Sequence, residues 1–320
     1  MKYITEDDLR QIGIPWAALS DVIAEVSLAY GEGDYAQPIK PYLKFGDASN
    51  RIIAMPAYIS RPIRAAGMKW IASYPNNVNI GLPRANSVTI LNDPDTGIPN
   101  YIINGSLIST IRTTAVSAAL LSKLLQERQG DELQVAVIGM GPIGQHHVNM
   151  LTSLFSERIE EIRVYDKREI SFSLPVANNV PVRAVATWQE AYLGADIVFT
   201  CTASSARYIH IPSKEGSILM HVSLRDYLPE AKASSGLVVV DSWDEVCRAD
   251  TDIERLHLDE GLQEEHAVTL SDVIAGKVKI DTAWQERIWF APMGLAVFDV
   301  AVAAWYTRQA DELGIGIELQ

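Results

Sequence analysis

The sequence predicts an α/β protein of two domains, one of them a doubly wound parallel sheet. Three observations carry that expectation. The chain has 320 residues, enough for two domains, and its 48% hydrophobic and 21% charged content is ordinary globular composition. A short apolar run, Leu133 to Ile138, leads directly into Gly139-Met140-Gly141-Pro142-Ile143-Gly144 and a helical stretch, Gln145 to Leu154. Beyond it, strand-like runs recur at Ile162 to Tyr165, Val182 to Ala186, Ile197 to Thr200, Ile218 to Val222 and Leu237 to Val240, the spacing of strands joined by crossovers.

Before residue 115 the texture changes. An acidic helical start precedes an amphipathic stretch, Ala17 to Tyr30, and strand-like runs at Arg51 to Ile59, Met68 to Ala72, Ser87 to Leu91 and Asn100 to Ile103. A helix over Ala115 to Gln126 carries the chain onward, and Gly294 to Leu313 reads as a helix returning to the first domain. Residues 1–115 and 293–320 therefore form one α/β domain, and residues 116–292 the other.

The glycine turn carries the sharpest chemical signal. A dinucleotide needs glycines where the backbone turns tightly and approaches its pyrophosphate, so that amides at a helix start can bind the charge. Gly139, Gly141 and Gly144 are placed for this, with Pro142 and Ile143 between them, and Asp166 follows at the usual spacing of about 20 residues. This is the signature of a Rossmann nucleotide-binding domain. Asp166 accepts the adenosine ribose hydroxyls, and its charge favours NAD over NADP; Lys167 and Arg168 are either solvated turn residues or cations that tolerate a 2′-phosphate, so NADP stays open. Thr200-Cys201-Thr202-Ala203 and His221-Val222-Ser223 stand at strand ends, where an open α/β sheet places its ligand; simple strand termination is the alternative.

Composition excludes several classes. A formal net charge of −13 repels polyanions, so nucleic acid is not an expected partner. The two cysteines, Cys201 and Cys247, lie in segments that read as buried or half-buried, without metal-ligand spacing; that favours a reducing compartment and no metal site. With no apolar signal core at Met1 to Asp8 and no apolar run of about 20 residues, the expected location is the cytoplasm and not a membrane.

Four cations stand inside or beside apolar segments: Arg51 before Ile52, Lys69 between Met68 and Trp70, Arg84 before Ala85, and Arg112 inside Ile111 to Ala115. Burying an unpaired charge costs several kcal/mol, so each either pairs with a protein acid or awaits an anionic ligand. His146 and His147, on the first turn of the helix after the glycines, read as surface residues. Trp70, Trp243, Trp284 and Trp289 read as core or interface aromatics.

With the glycine turn, Met68-Lys69-Trp70, Arg112-Thr113-Thr114-Ala115-Val116-Ser117 and Pro292-Met293-Gly294-Leu295-Ala296 in view, the chain resembles the ornithine cyclodeaminase and μ-crystallin family over nearly its whole length. The resemblance implies a homodimer, with an N-terminal substrate and dimerisation domain completed by the C-terminal helix, a Rossmann domain, and a cleft between them. It assigns substrate carboxylate binding to Arg51, Lys69 and Arg112, to which the cation pattern adds Arg84, and Arg112, Thr113 and Met293 join the expected cofactor contacts. The family's cyclodeaminases carry a catalytic aspartate six residues before a glutamate; counting back from Glu230 gives Leu224, so the acid is absent here. Asp226 lies in the same loop, either as a catalytic acid or as a helix cap.

Within the family, Gln37 to Leu43, Arg51 to Pro56, Ile90 to Pro94 and Ser223-Leu224-Arg225-Asp226 resemble most the dehydrogenases of 2,3-diaminopropionate synthesis. That implies NAD-dependent oxidation of N-(2-amino-2-carboxyethyl)-L-glutamate, a small multi-carboxylate amino acid, to 2,3-diaminopropionate and 2-oxoglutarate. Hydride leaves the glutamate α-carbon and water hydrolyses the imine, with Lys69 orienting carboxylate and water or serving as base. Another amino acid dehydrogenase, a ketimine reductase, an ornithine cyclodeaminase-like enzyme of the same family or a nucleotide-binding protein without turnover are the rival readings. One departure from the family is the segment Lys167 to Pro181, short and proline-broken where a full helix is usual.

Overall fold

The computed structural model describes residues 1–47, 49–128, 130, 132–170, 178–204, 206–231, 236–280 and 284–320. The chain divides into two compact units, Met1–Val116 with Gly294–Gln320, and Ser117–Met293. The boundary falls within one long helix, Gly105–Glu127, which starts ten residues before the Ala115 expected from the sequence.

The first unit is built on a mostly antiparallel sheet. Its strands are β1 (Lys2–Ile4), β2 (Tyr35–Ala36), β3 (Tyr42–Leu43), β4 (Arg51–Ile59), β5 (Ala65–Ser73), β6 (Ala85–Asn92) and β7 (Pro99–Asn104). The order is β1-β7-β6-β5-β4-β2, with β3 also on β4 and the C-terminal strand Ile317–Glu318 outside β1. Alternation along β4 turns Met55, Ala57 and Ile59 inward, and the register sets Met55 opposite Lys69 of β5 and Arg51 opposite Ser73. Directly opposed residues share a face, so Arg51, Met55 and Lys69 lie on one side of the sheet. The C-terminal helix Ala296–Leu313 packs on β4, β5 and β6. Its residues Ala296 to Ala304 are all buried, as expected of a helix apolar on every side. Trp70 points the other way on β5 and is 39% exposed, so it is no core residue.

The second unit holds a fully parallel sheet. Its strands are β8 (Leu133–Ile138), β9 (Ile159–Tyr165), β10 (Val182–Ala184), β11 (Ile197–Thr200), β12 (Ile218–Met220), β13 (Gly236–Val240), β14 (Ala267–Thr269) and β15 (Arg287–Ala291), in the order β10-β9-β8-β11-β12-β15-β13-β14. The central strands β11 and β12 are buried throughout, the pattern of a sheet covered on both faces. The expected strands at Val182 and Ile218 each end two residues early, and β14 and β15 are additions. Both are short, and neither alternates in polarity, so periodicity alone does not separate them from buried helix. Part of the expected short segment from Lys167 to Pro181, residues 171–177, lies outside the described residues.

The two histidines after the glycine turn separate. His146 is half-buried, whereas His147 is fully buried, correcting its surface assignment. Its Nε2 meets Ser117 Oγ at 2.9 Å and its Nδ1 the Ile143 carbonyl at 2.8 Å. Trp243 and Trp284 are half-buried, and Trp289 is buried. Among the described residues no single helix is long and apolar enough to cross a membrane. Because Leu219 is fully enclosed in β12, Leu219→Ala should lower stability by about 2–5 kcal/mol in urea unfolding, a test of whether this strand forms the core of its unit.

Candidate functional site

In the first unit, two cations share one acid, and a third buried cation stands near them. Asp299, fully buried on the C-terminal helix, accepts hydrogen bonds on a single oxygen, Oδ1, from Lys69 Nζ at 2.8 Å and from Arg112 Nε at 2.8 Å. Its Oδ2 is also buried and has no hydrogen-bond partner among the described residues. Lys40, 4% exposed, donates to the Gly294 carbonyl at 2.8 Å. Gly294 itself has φ +84, and a Cβ there would lie 2.5 Å from Arg112 Nη1, so only glycine both turns this way and leaves room for the guanidinium. Gln37 completes the corner by accepting from the Val297 N–H.

Burial is the largest influence on the Lys69 amine, followed by repulsion from Arg112; Asp299 opposes both, and Lys40 adds further repulsion. The amine is pushed down to about 7. For Asp299, burial acts to raise the carboxyl, but Arg112 and Lys69 together hold it below the usual carboxylate range. Either pairing or awaiting a ligand was the alternative posed by the sequence, and Lys69 and Arg112 are paired, one carboxylate serving both cations.

The remaining cations stand apart. Arg51 lies on the same sheet face as Lys69 but at the far end of β4, its guanidinium 5.4 Å from the centre of the Tyr42 ring, and its buried Nε has no hydrogen-bond partner among the described residues. Arg84 is exposed, which corrects its place among the buried charges; it precedes β6 at the sheet end that also carries Arg51. Thr113 directs its hydroxyl to the Ser109 carbonyl within its own helix. Asp299 and Lys40 were not singled out from the sequence, although a lone acid in Ala296-Val297-Phe298-Asp299-Val300-Ala301 is a visible signal.

In the second unit, the glycine turn has the form a dinucleotide requires. Gly139 has φ +99, and a Cβ there would fall 2.6 Å from the Cys201 main chain; a Cβ on Gly144 would fall 2.0 Å from the Gly139 carbonyl. Gly141 differs, with nothing within 4 Å of its Cβ position and an extended backbone that begins helix Pro142–Leu154. No side chain caps that helix, so its first amides and dipole face outward from the turn, with Ile143 half-buried and Pro142 exposed. Asp166 accepts the Met140 N–H at 2.8 Å and the Arg168 N–H at 2.9 Å. Burial acts to raise its carboxyl, but these bonds and the Arg168 guanidinium bring it below its ordinary value. Oδ1 also accepts from Arg168 Nε at 3.3 Å, whereas Oδ2, taking only the Met140 N–H among the described residues, retains acceptor capacity for a ribose hydroxyl. Lys167 is exposed. These residues fit a dinucleotide.

At the ends of β11 and β12 a polar trio forms. Thr202 Oγ1 donates to Asp226 Oδ1 at 2.5 Å, Ser223 Oγ donates to Asp226 Oδ2, and the Asp226 N–H donates to Asp252. Asp226 is buried and its carboxylate is held by these hydroxyls, so it is not a helix cap. Cys201 contributes main chain against Gly139, while burial pushes its thiol up. Ala203 is exposed, Val222 is half-buried, and the Met293 N–H donates to Asp241 at 3.0 Å. The His221 ring is 1% exposed, stacked 4.1 Å from Tyr227 and 4.7 Å from Trp289, and burial lowers it to about 4. Its side chain packs in the core at the end of β12. Leu224 takes φ +66 and packs with Val240, Val246, Ile253 and Ala291, so apolar core surrounds its side chain. Among the described residues no group of His, Cys, Asp or Glu is arranged to hold a metal.

The sequence profile of the ornithine cyclodeaminase/mu-crystallin family matches residues 16–312. The chain belongs to that family. It is 31% identical to the N-((2S)-2-amino-2-carboxyethyl)-L-glutamate dehydrogenase of Staphylococcus aureus, across 100% of this chain and 98% of the relative. It is 25% identical to the alanine dehydrogenase of Archaeoglobus fulgidus, across 99% of this chain and 97% of the relative. In fold it matches the Thermococcus litoralis Δ1-pyrroline-2-carboxylate reductase solved with NADH and L-proline, with a TM-score of 0.86, 24% identity and 100% coverage of both chains.

The two outer glycines and the middle one should respond differently. Gly144→Ala should destabilise the protein by about 1–3 kcal/mol or more, because a carbonyl must move. Gly141→Ala should melt like the wild type yet bind NAD about tenfold or more weakly, equivalent to 1.4 kcal/mol or more; calorimetry and thermal melts on both variants check this.

Proposed function

We infer that this chain is an NAD-dependent oxidoreductase acting on a C–N bond of an amino acid, and propose N-(2-amino-2-carboxyethyl)-L-glutamate as its substrate. The observation that carries the reading is the pair of buried cations, Lys69 and Arg112, that share one carboxylate oxygen of Asp299, with Lys40 close enough to repel the Lys69 amine. Such a site favours an anionic molecule, and the substrate brings three carboxylates. Arg112 commits its Nε to Asp299, leaving its two Nη groups to take one carboxylate in a fork. Arg51, on the same sheet face, receives a second. Each charge-assisted hydrogen bond contributes about 1.5–3 kcal/mol, enough to hold a small ligand despite the net negative charge of the chain. Full-length similarity to the Staphylococcus aureus dehydrogenase supports this substrate.

When bound, NAD supplies the oxidation by taking a hydride from the glutamate α-carbon. The Gly139 to Gly144 turn holds the pyrophosphate and Asp166 the ribose. Lys69, with its amine near neutrality, accepts a proton from the water that adds to the resulting C=N bond. The carbinolamine then breaks its C–N bond, giving 2,3-diaminopropionate and 2-oxoglutarate. Asp226, held between Thr202 and Ser223, orders the loop at the strand ends. Leu224 leaves no acid in the place the cyclodeaminases use, which separates this reading from ornithine cyclisation.

The exposed apolar side chains Leu43, Phe45, Val78, Ile80 and Leu82 in the first unit support a homodimer formed through that unit, and a cytoplasmic location accords with two free cysteines. In an NADH absorbance assay, the wild type should oxidise N-(2-amino-2-carboxyethyl)-L-glutamate in preference to alanine, proline and ornithine. Equal or better turnover of alanine would end this substrate assignment. Lys69→Met should cut turnover by about 10²–10⁴-fold and leave NAD binding nearly intact. Since Lys69 is a base only when deprotonated, kcat/KM for oxidation should rise with pH through a limb centred at about 7.

A further inference from the structure

We propose that Asp299 is a positioning residue, which ties Lys69 Nζ and Arg112 Nε to one carboxylate oxygen and so fixes both donors for the substrate. The inference rests on the substrate-binding reading of Lys69 and Arg112 above. A fully buried carboxylate is unfavourable by several kcal/mol unless strongly paired, so its presence in the middle of an apolar helix needs a reason. A residue serving stability alone is best replaced by a hydrophobe of similar volume. A bridge built for strength would use both oxygens, each with its own donor. Here Oδ1 takes both donors and Oδ2 takes none among the described residues.

The consequence is directional. By engaging Nε, Asp299 orients the Arg112 plane so that the Nη edge is presented to a ligand, and Gly294 keeps the space beside Nη1 clear. By engaging Nζ, it holds Lys69 against Ser109, whose Oγ is 3.4 Å away. The charged groups acting on Lys69 come from three other elements: Arg112 on helix Gly105–Glu127, Asp299 on the C-terminal helix, and Lys40 on the segment before β3. Asp299 is the one among these that favours the protonated amine. Its loss therefore leaves two repelling cations and burial acting together.

The test reads Lys69 without any substrate. In protein labelled with ¹⁵N-lysine, the side-chain resonance that disappears in Lys69→Met reports the protonation of Lys69. Asp299→Asn should move its midpoint down by about 1–3 pH units. The same variant should lose about 10²-fold in kcat/KM for the amino acid substrate, with the KM for NAD unchanged. Asp299→Glu keeps the charge but displaces it by one methylene, so its Lys69 midpoint should stay near the wild-type value while kcat/KM still falls about tenfold.

An Asn variant that melts like the wild type, keeps the Lys69 midpoint and loses less than about threefold in kcat/KM would overturn the inference. Should the Asn variant not fold, wild-type kcat/KM in the Glu variant would overturn it instead. A wild type that oxidises none of the amino acids tried, but whose Lys69 midpoint shifts in the Asn variant, refutes the substrate assignment and supports the Asp299 bridge.

Discussion

One carboxylate shared by two cations in a dry interior is the constraint on which the first unit depends. Asp299 reaches Lys69 and Arg112 across sequence separations of 230 and 187 residues, joining the C-terminal helix to β5 and to helix Gly105–Glu127. Full neutralisation would give a stable salt bridge with nothing left for a ligand. Absence of the acid would leave Lys69 and Arg112 repelling each other in the interior. A single oxygen accepting two donors sits between these limits: it makes Lys69 and Arg112 tolerable in the interior without engaging the Nη edge of Arg112.

The second unit solves a different problem with almost no charged side chains. Its anion site is made of backbone, and the demands on residue type are demands for space. Gly139 and Gly144 are needed because main chain of Cys201 and of Gly139 itself lies where a side chain would be. Gly141 is needed on other grounds, since nothing of the protein is near it. Asp166 adds a negative charge, and it is anchored from both sides by main-chain amides before any ligand arrives. Such preorganisation limits the ordering that binding must still impose.

Much of this was legible in the sequence where the signal was local. A strand, a glycine turn, a helix and an acid about 20 residues on are read within one stretch of chain, and β8 has the predicted ends. The cations on β4 and β5 were visible because charge interrupts an apolar run. What stayed hidden was pairwise. Nothing near Asp299 in the sequence names Lys69, and Lys40 sits in a proline-flanked segment that gives no hint of burial. His147 was misjudged because the first turn of a helix has one face toward solvent and another against the sheet, and helical periodicity places His146 and His147 about 100° apart. His221 reads as a strand-end residue, yet Tyr227 and Trp289, distant in sequence, close over it. Strands β14 and β15 were too short for their texture to be distinctive.

The leucine at position 224 has a consequence for what this scaffold can become. It adopts a backbone angle that glycine, asparagine or aspartate would accept more easily, and its side chain is wedged among four buried apolar neighbours. Reinstating an acid there by one substitution would plant a charge in oil and empty a packed socket at once. The loop is therefore locked into its present chemistry by packing and not by reactivity, and a change of trade would require the surrounding cluster to be rebuilt first.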